Sequence, residues 1–222
     1  MRHNARATDD RLQALLDQNL SRTDESLTCG ADPNARYPTG CPGLSMAAAC
    51  PIPGIVLLLL AAGADPDSVD EHGLTPAMHA IRTGWDANLR LLARARADLT
   101  LLHGKGGDAA SLAIDHRGPD TLRQLLESGY PLDGRDALGR SLAAWAGMAA
   151  RLDCLSLLAG LGADFIAKDA KWATPQTLAR FNGHSEAAAF IRTAGLSQIE
   201  SAALEACARR ASKEPRTQRL RM

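Results

Sequence analysis

Residues 73–98 read GLTPAMHAIRTGWDANLRLLARARAD, and this stretch decides the fold. Thr75 can offer its hydroxyl to the open amides of a helix start. Pro76 follows in the first turn, where a missing N–H costs nothing. Ala80 is small enough to let a short helix pack closely on a neighbour. Gly84 ends that helix. A second helix follows, with Leu89, Leu91 and Leu92 along one face. After it the chain needs a residue of positive φ to turn back, and an extended stretch leads onward.

The same unit recurs. The strings CGADPNA, AGADPDS, ARADLTL, SGYPLDG, LGADFIA and AGLSQIE each open a loop in this reading. Their second residues, Gly30, Gly63, Arg96, Gly129, Gly162 and Gly195, fall 33 residues apart without an insertion. Ala14, Ala47, Ala80, Ala113, Ala146 and Ala179 form a second column in phase. Gly40, Gly73, Gly106, Gly139 and then Trp172 form a third. One such unit cannot bury its apolar face alone, but stacked units share a continuous core.

In period, helix–turn–helix–loop pattern and motif this resembles the ankyrin repeat. The resemblance covers residues 9 to about 195, as five units and a degenerate first one. It is carried best by GLTPAMHA at 73–80, ATPQTLARFNGH at 173–184, and the GAD loops at 30–32, 63–65 and 162–164. It implies an all-α solenoid of stacked helix-turn-helix units with β-turn fingers. It also implies a binding scaffold, since such a fold names no reaction.

The departures set further expectations. The family usually places a His after Thr-Pro-Leu, bonding neighbouring turns; here that column holds Ser45, Met78, Ser111, Ala144 and Thr177. Thinner bonding between units is expected. His79 falls one position later, in a column with Met46, Leu112, Trp145 and Leu178. Arg96 would cost roughly 1 kcal/mol at positive φ, or its loop takes another shape. Asp108-Ala109-Ala110 stands where other units carry Thr-Pro, and Gly104, Gly106 and Gly107 precede it. The array is therefore expected to be least rigid over residues 99–120. Residues 196–208 read as a last helix turning Leu196, Ile199, Ala203 and Cys207 toward the array. The repeats and caps are expected to occupy residues 1–208. Residues 209–222 hold Arg209, Arg210, Lys213, Arg216, Arg219 and Arg221 against Glu214, and read as a basic, disordered tail.

Composition agrees with this class. Of 222 residues, 45% are hydrophobic and only 4% aromatic, so Ala and Leu must build the core, which disfavours a β-sandwich or barrel. The net charge is zero, against general nucleic-acid binding. Arg outnumbers Lys by 21 to 4, an association with GC-rich bacterial coding. Asp9, Asp10 and Arg11 fall where a secretory signal would place its apolar core, so a cytoplasmic location or delivery into a host cell is expected. Ile55–Ala62 is too short an apolar run to span a bilayer. The five cysteines form no CxxC pair and read as reduced, mostly buried thiols, although Cys29 and Cys41 flank one loop and could meet.

No phosphate loop, GxSxG or HExxH occurs, and no cofactor, metal or catalytic residue is expected. By the resemblance, loop tips and the outer side of the first helices line a concave binding face. Carried over position by position, that face offers Arg36, Tyr37, Glu71, His72, Arg82, Lys105, His116, Arg135, Leu138, Arg140, Lys168, Lys171, Trp172 and Phe181. Its charges are mainly basic, with Glu71 and Asp115 the opposing acids, so an acidic protein partner is expected rather than nucleic acid or membrane. Tyr37, Trp172 and Phe181 are candidate anchors. Charge reversal at Arg135 and Lys171 is expected to weaken binding without changing Tm. The expected function is a non-catalytic scaffold that covers a protein, such as an immunity-type neutraliser of a bacterial toxin or enzyme. A secreted effector binding a host protein and an activity hidden in the loops are the alternatives.

Overall fold

A computed structural model describes residues 20–104 and 106–213. Among the described residues it contains eleven helices and no strands, only isolated bridges at Arg36–Pro42 and Arg135–Ser141. The helices are α1 Leu20–Thr28, α2 Gly43–Ala48, α3 Pro53–Ala61, α4 Pro76–Thr83, α5 Asp86–Arg94, α6 Ala109–His116, α7 Pro119–Glu127, α8 Leu142–Met148, α9 Leu152–Gly160, α10 Pro175–Phe181 and α11 Ser185–Lys213. They stack in two rows. The first helices α2, α4, α6, α8 and α10 pack in order, and α1, α3 and α5, then α7, α9 and α11, run behind them. The expected column of Ala14 and the first helix around it lie outside the described residues. So do Lys105 and the segment beyond residue 213.

The alanine column is the seam of the inner row. Ala47, Ala80, Ala113, Ala146 and Ala179 are at most 1% exposed, so adjacent first helices meet without room for a larger side chain. Leu59, Leu92, Leu125 and Leu158, also spaced by 33, fill the space behind them. Thr75 caps α4 by accepting the Met78 amide at 3.3 Å. In the unit without Thr-Pro, Asp108 does the same work. Its carboxylate accepts the Ser111 amide at 2.9 Å, while the Ser111 hydroxyl accepts the Asp108 amide at 2.8 Å. The buried Tyr130 hydroxyl donates to the other Asp108 oxygen.

Chain reversal after each second helix rests on a left-handed residue. Gly30, Gly63, Gly129 and Gly162 have φ of 85°, 90°, 100° and 79°, and Arg96 joins them at 63°. Arg96 therefore takes the strained conformation, and its loop keeps the common shape. In every case the next amide reaches back to the helix, as Ala64 does to the Leu59 carbonyl at 2.9 Å and Ala97 to Leu92 at 3.1 Å.

Gly195 breaks the column. It lies inside α11, which runs unbroken for 29 residues. The other loops continue with Ala-Asp or with Pro, whereas Gly195 is followed by LSQIESAALEA, a good helix-forming run. Ile166 Cγ2 would stand 3.1 Å from a Cβ at this glycine, so the residue serves close packing here. The expected separate last helix is thus a continuation. Leu196 and Ile199 do not turn into the array; they remain 54% and 51% exposed. The helix also extends to Lys213, five residues into the expected tail.

Bonding between units is not thin. Asn88, buried on α5, donates its amide to the Cys50 carbonyl at 2.7 Å and the Ala48 carbonyl at 3.0 Å of the preceding unit. Trp85 donates to Ala49 at 2.9 Å and Arg151 to Ile114 at 2.8 Å. These side chains close the open carbonyls at first-helix ends, a task the missing His column does not perform. α5 and α7 leave a charged cleft of about 510 Å³ between them, lined by Arg90, Arg94, Asp120, Arg123 and Glu127. Gln124 spans this gap to the Asp86 carbonyl at 3.0 Å. Asn88→Ala strands the buried carbonyls and is expected to cost about 2 kcal/mol, seen as a lower urea midpoint at unchanged slope.

Candidate functional site

The five loops between units are copies of one hairpin tip. The amides of Tyr37, Asp70, His103, Asp136 and Asp169 donate to the carbonyls of Cys41, Leu74, Gly107, Arg140 and Ala173 at 2.8–3.2 Å. The fourth tip residue must then take positive φ. Gly40, Gly73, Gly106 and Gly139 do so, and Trp172 follows at 63°. Neighbouring fingers are tied by main chain: Gly104 donates to His72 at 2.9 Å and Ala170 to Leu138 at 2.9 Å.

Three finger aspartates hold the tips from within. Asp70 accepts the His72 and Leu74 amides at 2.8 and 2.9 Å, and Asp136 and Asp169 repeat the pattern. The second oxygen of Asp70 accepts His79 Nε2 at 2.9 Å. That of Asp136 accepts Trp145 Nε1 at 2.9 Å and Arg140 Nε. His79 and Trp145 occupy the same register two units apart. A ring N–H nine residues beyond a finger Asp therefore pins the finger to its own first helix. The pattern Asp-x8-His/Trp is visible in the sequence, but no local rule brings the ring to the carboxylate.

His79 has both nitrogens engaged, because Arg82 Nη2 donates to its Nδ1 at 3.0 Å. Burial pushes its pKa down, and Arg82 adds to this against the pull of Asp70. Burial alone would raise the Asp70 carboxyl, but the Leu74 and His72 amides and His79 together hold it below the usual carboxylate range. With neither nitrogen free to take a proton from a nucleophile, this His–Asp pair is a structural clamp.

The predicted face residues fall into distinct groups. Arg36 and Arg135 are staples between fingers: Arg36 Nη1 donates to Gly40 and Val69 carbonyls at 2.7 and 2.8 Å, and Arg135 Nη1 to Gly139 and Lys168 at 2.9 and 3.3 Å. Arg140 is neutralised by Asp136 and lies 4.3 Å from the Trp145 ring centroid. Tyr37 is half-buried against the core. Lys105 lies outside the described residues. Leu138 is exposed at its finger tip. Lys168 stands 5.2 Å over the Trp172 ring, with Lys171 exposed beside it. Trp172 and Phe181 are 78% and 91% exposed.

Glu71, His72, Arg82 and His116 are brought together. With His103, Leu74 and Leu112 they line a groove of about 710 Å³ between the second and third fingers. Among the described residues no three His, Cys, Asp or Glu side chains are grouped to hold a metal ion, and no helix is long and apolar enough to cross a membrane. Cys29, Cys41, Cys50 and Cys154 are free thiols. Of these four only Cys154 is buried, which corrects the expectation of mostly buried thiols; burial pushes its pKa up to about 12.

A sequence profile for ankyrin repeats, in three copies, matches residues 44–136. The crystal structure of an ankyrin repeat domain from Acinetobacter baumannii AYE is 25% identical, with a TM-score of 0.71 over 83% of this chain and 97% of that one. Residues 44–136 are ankyrin repeats, and the array has the ankyrin-repeat fold. Ankyrin repeats are generally protein–protein interaction modules and non-catalytic scaffolds. In this array the aspartate clamps set the shape of the fingers.

Two outcomes follow for the clamps and staples. The His79 pKa is lowered on folding, so its stabilising contribution is present above the ordinary imidazole pKa and lost as pH falls below it; that of Asp70 is lost later, through the carboxylate range. The urea midpoint should fall between about pH 7.5 and 5.5, and fall less in His79→Gln. Arg135→Glu should lower Tm, because it removes a tie between two fingers. This departs from the neutral effect expected from sequence.

Proposed function

We propose that this protein covers another protein through its finger face and blocks it, the partner presenting an acidic and partly apolar surface. The observation that carries the reading is the pair Trp172 and Phe181, 78% and 91% exposed at the C-terminal end of that face. Large aromatic rings left in water mark an interaction surface more than a solvated one. Lys168 and Lys171 flank Trp172 and would steer a negatively charged partner. Arg82 adds a cation and Glu71 an anion beside the second finger. Asp136 offsets Arg140, so the field is weaker in the fourth unit than the sequence count implied.

The specific form we favour is an immunity-type neutraliser of a bacterial toxin or enzyme. Two observations support it: the Arg-rich, Lys-poor composition and the likeness to a bacterial ankyrin repeat domain. The clamp chemistry of His79 and Asp70 supports a binding role over a catalytic one.

Affinity capture from the native organism, followed by mass spectrometry, tests this reading. A stoichiometric acidic partner is expected. Trp172→Ala with Phe181→Ala should weaken its capture by more than about tenfold while Tm stays nearly unchanged. Undiminished capture by the double variant would remove the finger face from the account. A partner found only in host lysate would replace the neutraliser with an effector.

A further inference from the structure

The second helices do not form an even row. α3 packs on α5, α7 on α9 and α9 on α11, but α5 and α7 stand apart. The charged cleft of about 510 Å³ lies between them, at the back of the array. The groove of about 710 Å³ between the second and third fingers opens at the same boundary on the other side. Contact between the second and third units therefore narrows to a strip. α4 and α6 meet there along the alanine seam, with Ala80 and Ala113 buried. Two bonds tie the strip on the finger side. The Gly104 amide donates to the His72 carbonyl at 2.9 Å, and the Asp98 amide to the Asp67 carboxylate at 2.7 Å.

The repeat register shows why the back is open. Residues 85, 118 and 151 share one column. Trp85 and Arg151 donate from it to Ala49 and Ile114, at the ends of the first helices before them. Gly118 has no side chain to do so. Residues 88 and 121 share another column. Asn88 closes the carbonyls of Ala48 and Cys50 from it, whereas Thr121 brings no amide. Among the described residues, no side chain of α7 bonds to α4. Gln124, bonded to the Asp86 carbonyl at 3.0 Å, is their one side-chain tie from α7 to the unit before it. Charge does not close the gap either. Arg90 and Arg94 line one wall and Arg123 the other, with Asp120 and Glu127 on the helix of Arg123. Among the described residues no ion pair crosses between the walls.

In a repeat array each unit is held by its neighbours alone, so a weak boundary localises any bending. We infer that the array bends between its second and third units, as two blocks, α1–α5 and α6–α11. The pivot runs along the finger ties and the alanine seam, and the cleft between α5 and α7 widens and narrows behind it. Narrowing at the back flattens the finger face; widening curls it. Gln124 limits the widening, because its bond spans the gap. The bend sets the angle between the first two fingers and the last three, and it does not depend on which partner the face takes.

Double electron–electron resonance on the full chain reads this motion. Spin labels are carried on p-acetylphenylalanine, which leaves the native thiols alone. One pair replaces Ala61 and Glu127, on α3 and α7, and spans the boundary. The other replaces Glu127 and Thr193, on α7 and α11, and lies within the second block. Both pairs are two repeats apart in the same register, and all three residues are exposed. The distance distribution of the first pair is expected to be about twofold wider than that of the second. Gln124→Ala should widen it further and leave the second pair unchanged. Thr121→Asn, which copies Asn88 into the next unit, should narrow the first pair toward the second. Circular dichroism checks that each variant keeps its fold. Equal widths for the two wild-type pairs would overturn the inference. So would a response to Gln124→Ala that both pairs share or that neither shows.

Discussion

The structure depends on a residue held at positive φ after each second helix. That residue lets the following amide return to the helix, as at Ala64 and Ala163. The chain then leaves in the direction that builds the next finger. Where glycine fills the position the turn carries no steric penalty; Arg96 bears about 1 kcal/mol and keeps the turn, because the units on either side pack only in that register. At Gly195 the residue that permits the turn is present, yet the turn is not made. Glycine allows positive φ but does not demand it, and the sequence that follows favours helix. The array ends there for want of the Asp or Pro that stops the other helices.

Stacking creates polar demands that the repeats meet in different ways. The first helices α2 and α6 end with carbonyls facing the next unit. Asn88, Trp85 and Arg151 answer them with three unlike side chains. The fingers show the same economy. Asp70 and Asp136 organise a tip with one oxygen and pin it to a helix with the other, through His79 in one unit and Trp145 in another. An idealised array would repeat one residue at each of these places. Here the geometry is repeated and the chemistry varies, which leaves every finger with its own surface.

That variation is where function enters. A basic residue at a finger position has one of two fates. Arg36, Arg135 and Arg140 are absorbed into the fingers by carbonyls or by a carboxylate. Lys168 and Lys171 stay at the surface beside a ring exposed to water. The groove lined by His72, His103 and His116 is a third case, built from two neighbouring tips and the end of α6.

The amino-acid sequence alone determined the period, the two helices per unit, the alanine seam and the cap at Thr75. These follow from local rules of helix start, helix stop and close packing, repeated in register. The expectation that Trp172 and Phe181 stand at the surface came from the same carry-over of repeat positions, and both are exposed. Tertiary structure decided the rest. Which arginines are consumed as staples and which carbonyls Asn88 closes depend on neighbours about 30 to 40 residues away. The meeting of three histidines belongs to the same class. Repeat spacing tells which residues share a column, but contact across columns is set by how closely adjacent fingers stack, and that distance is a property of the packed array.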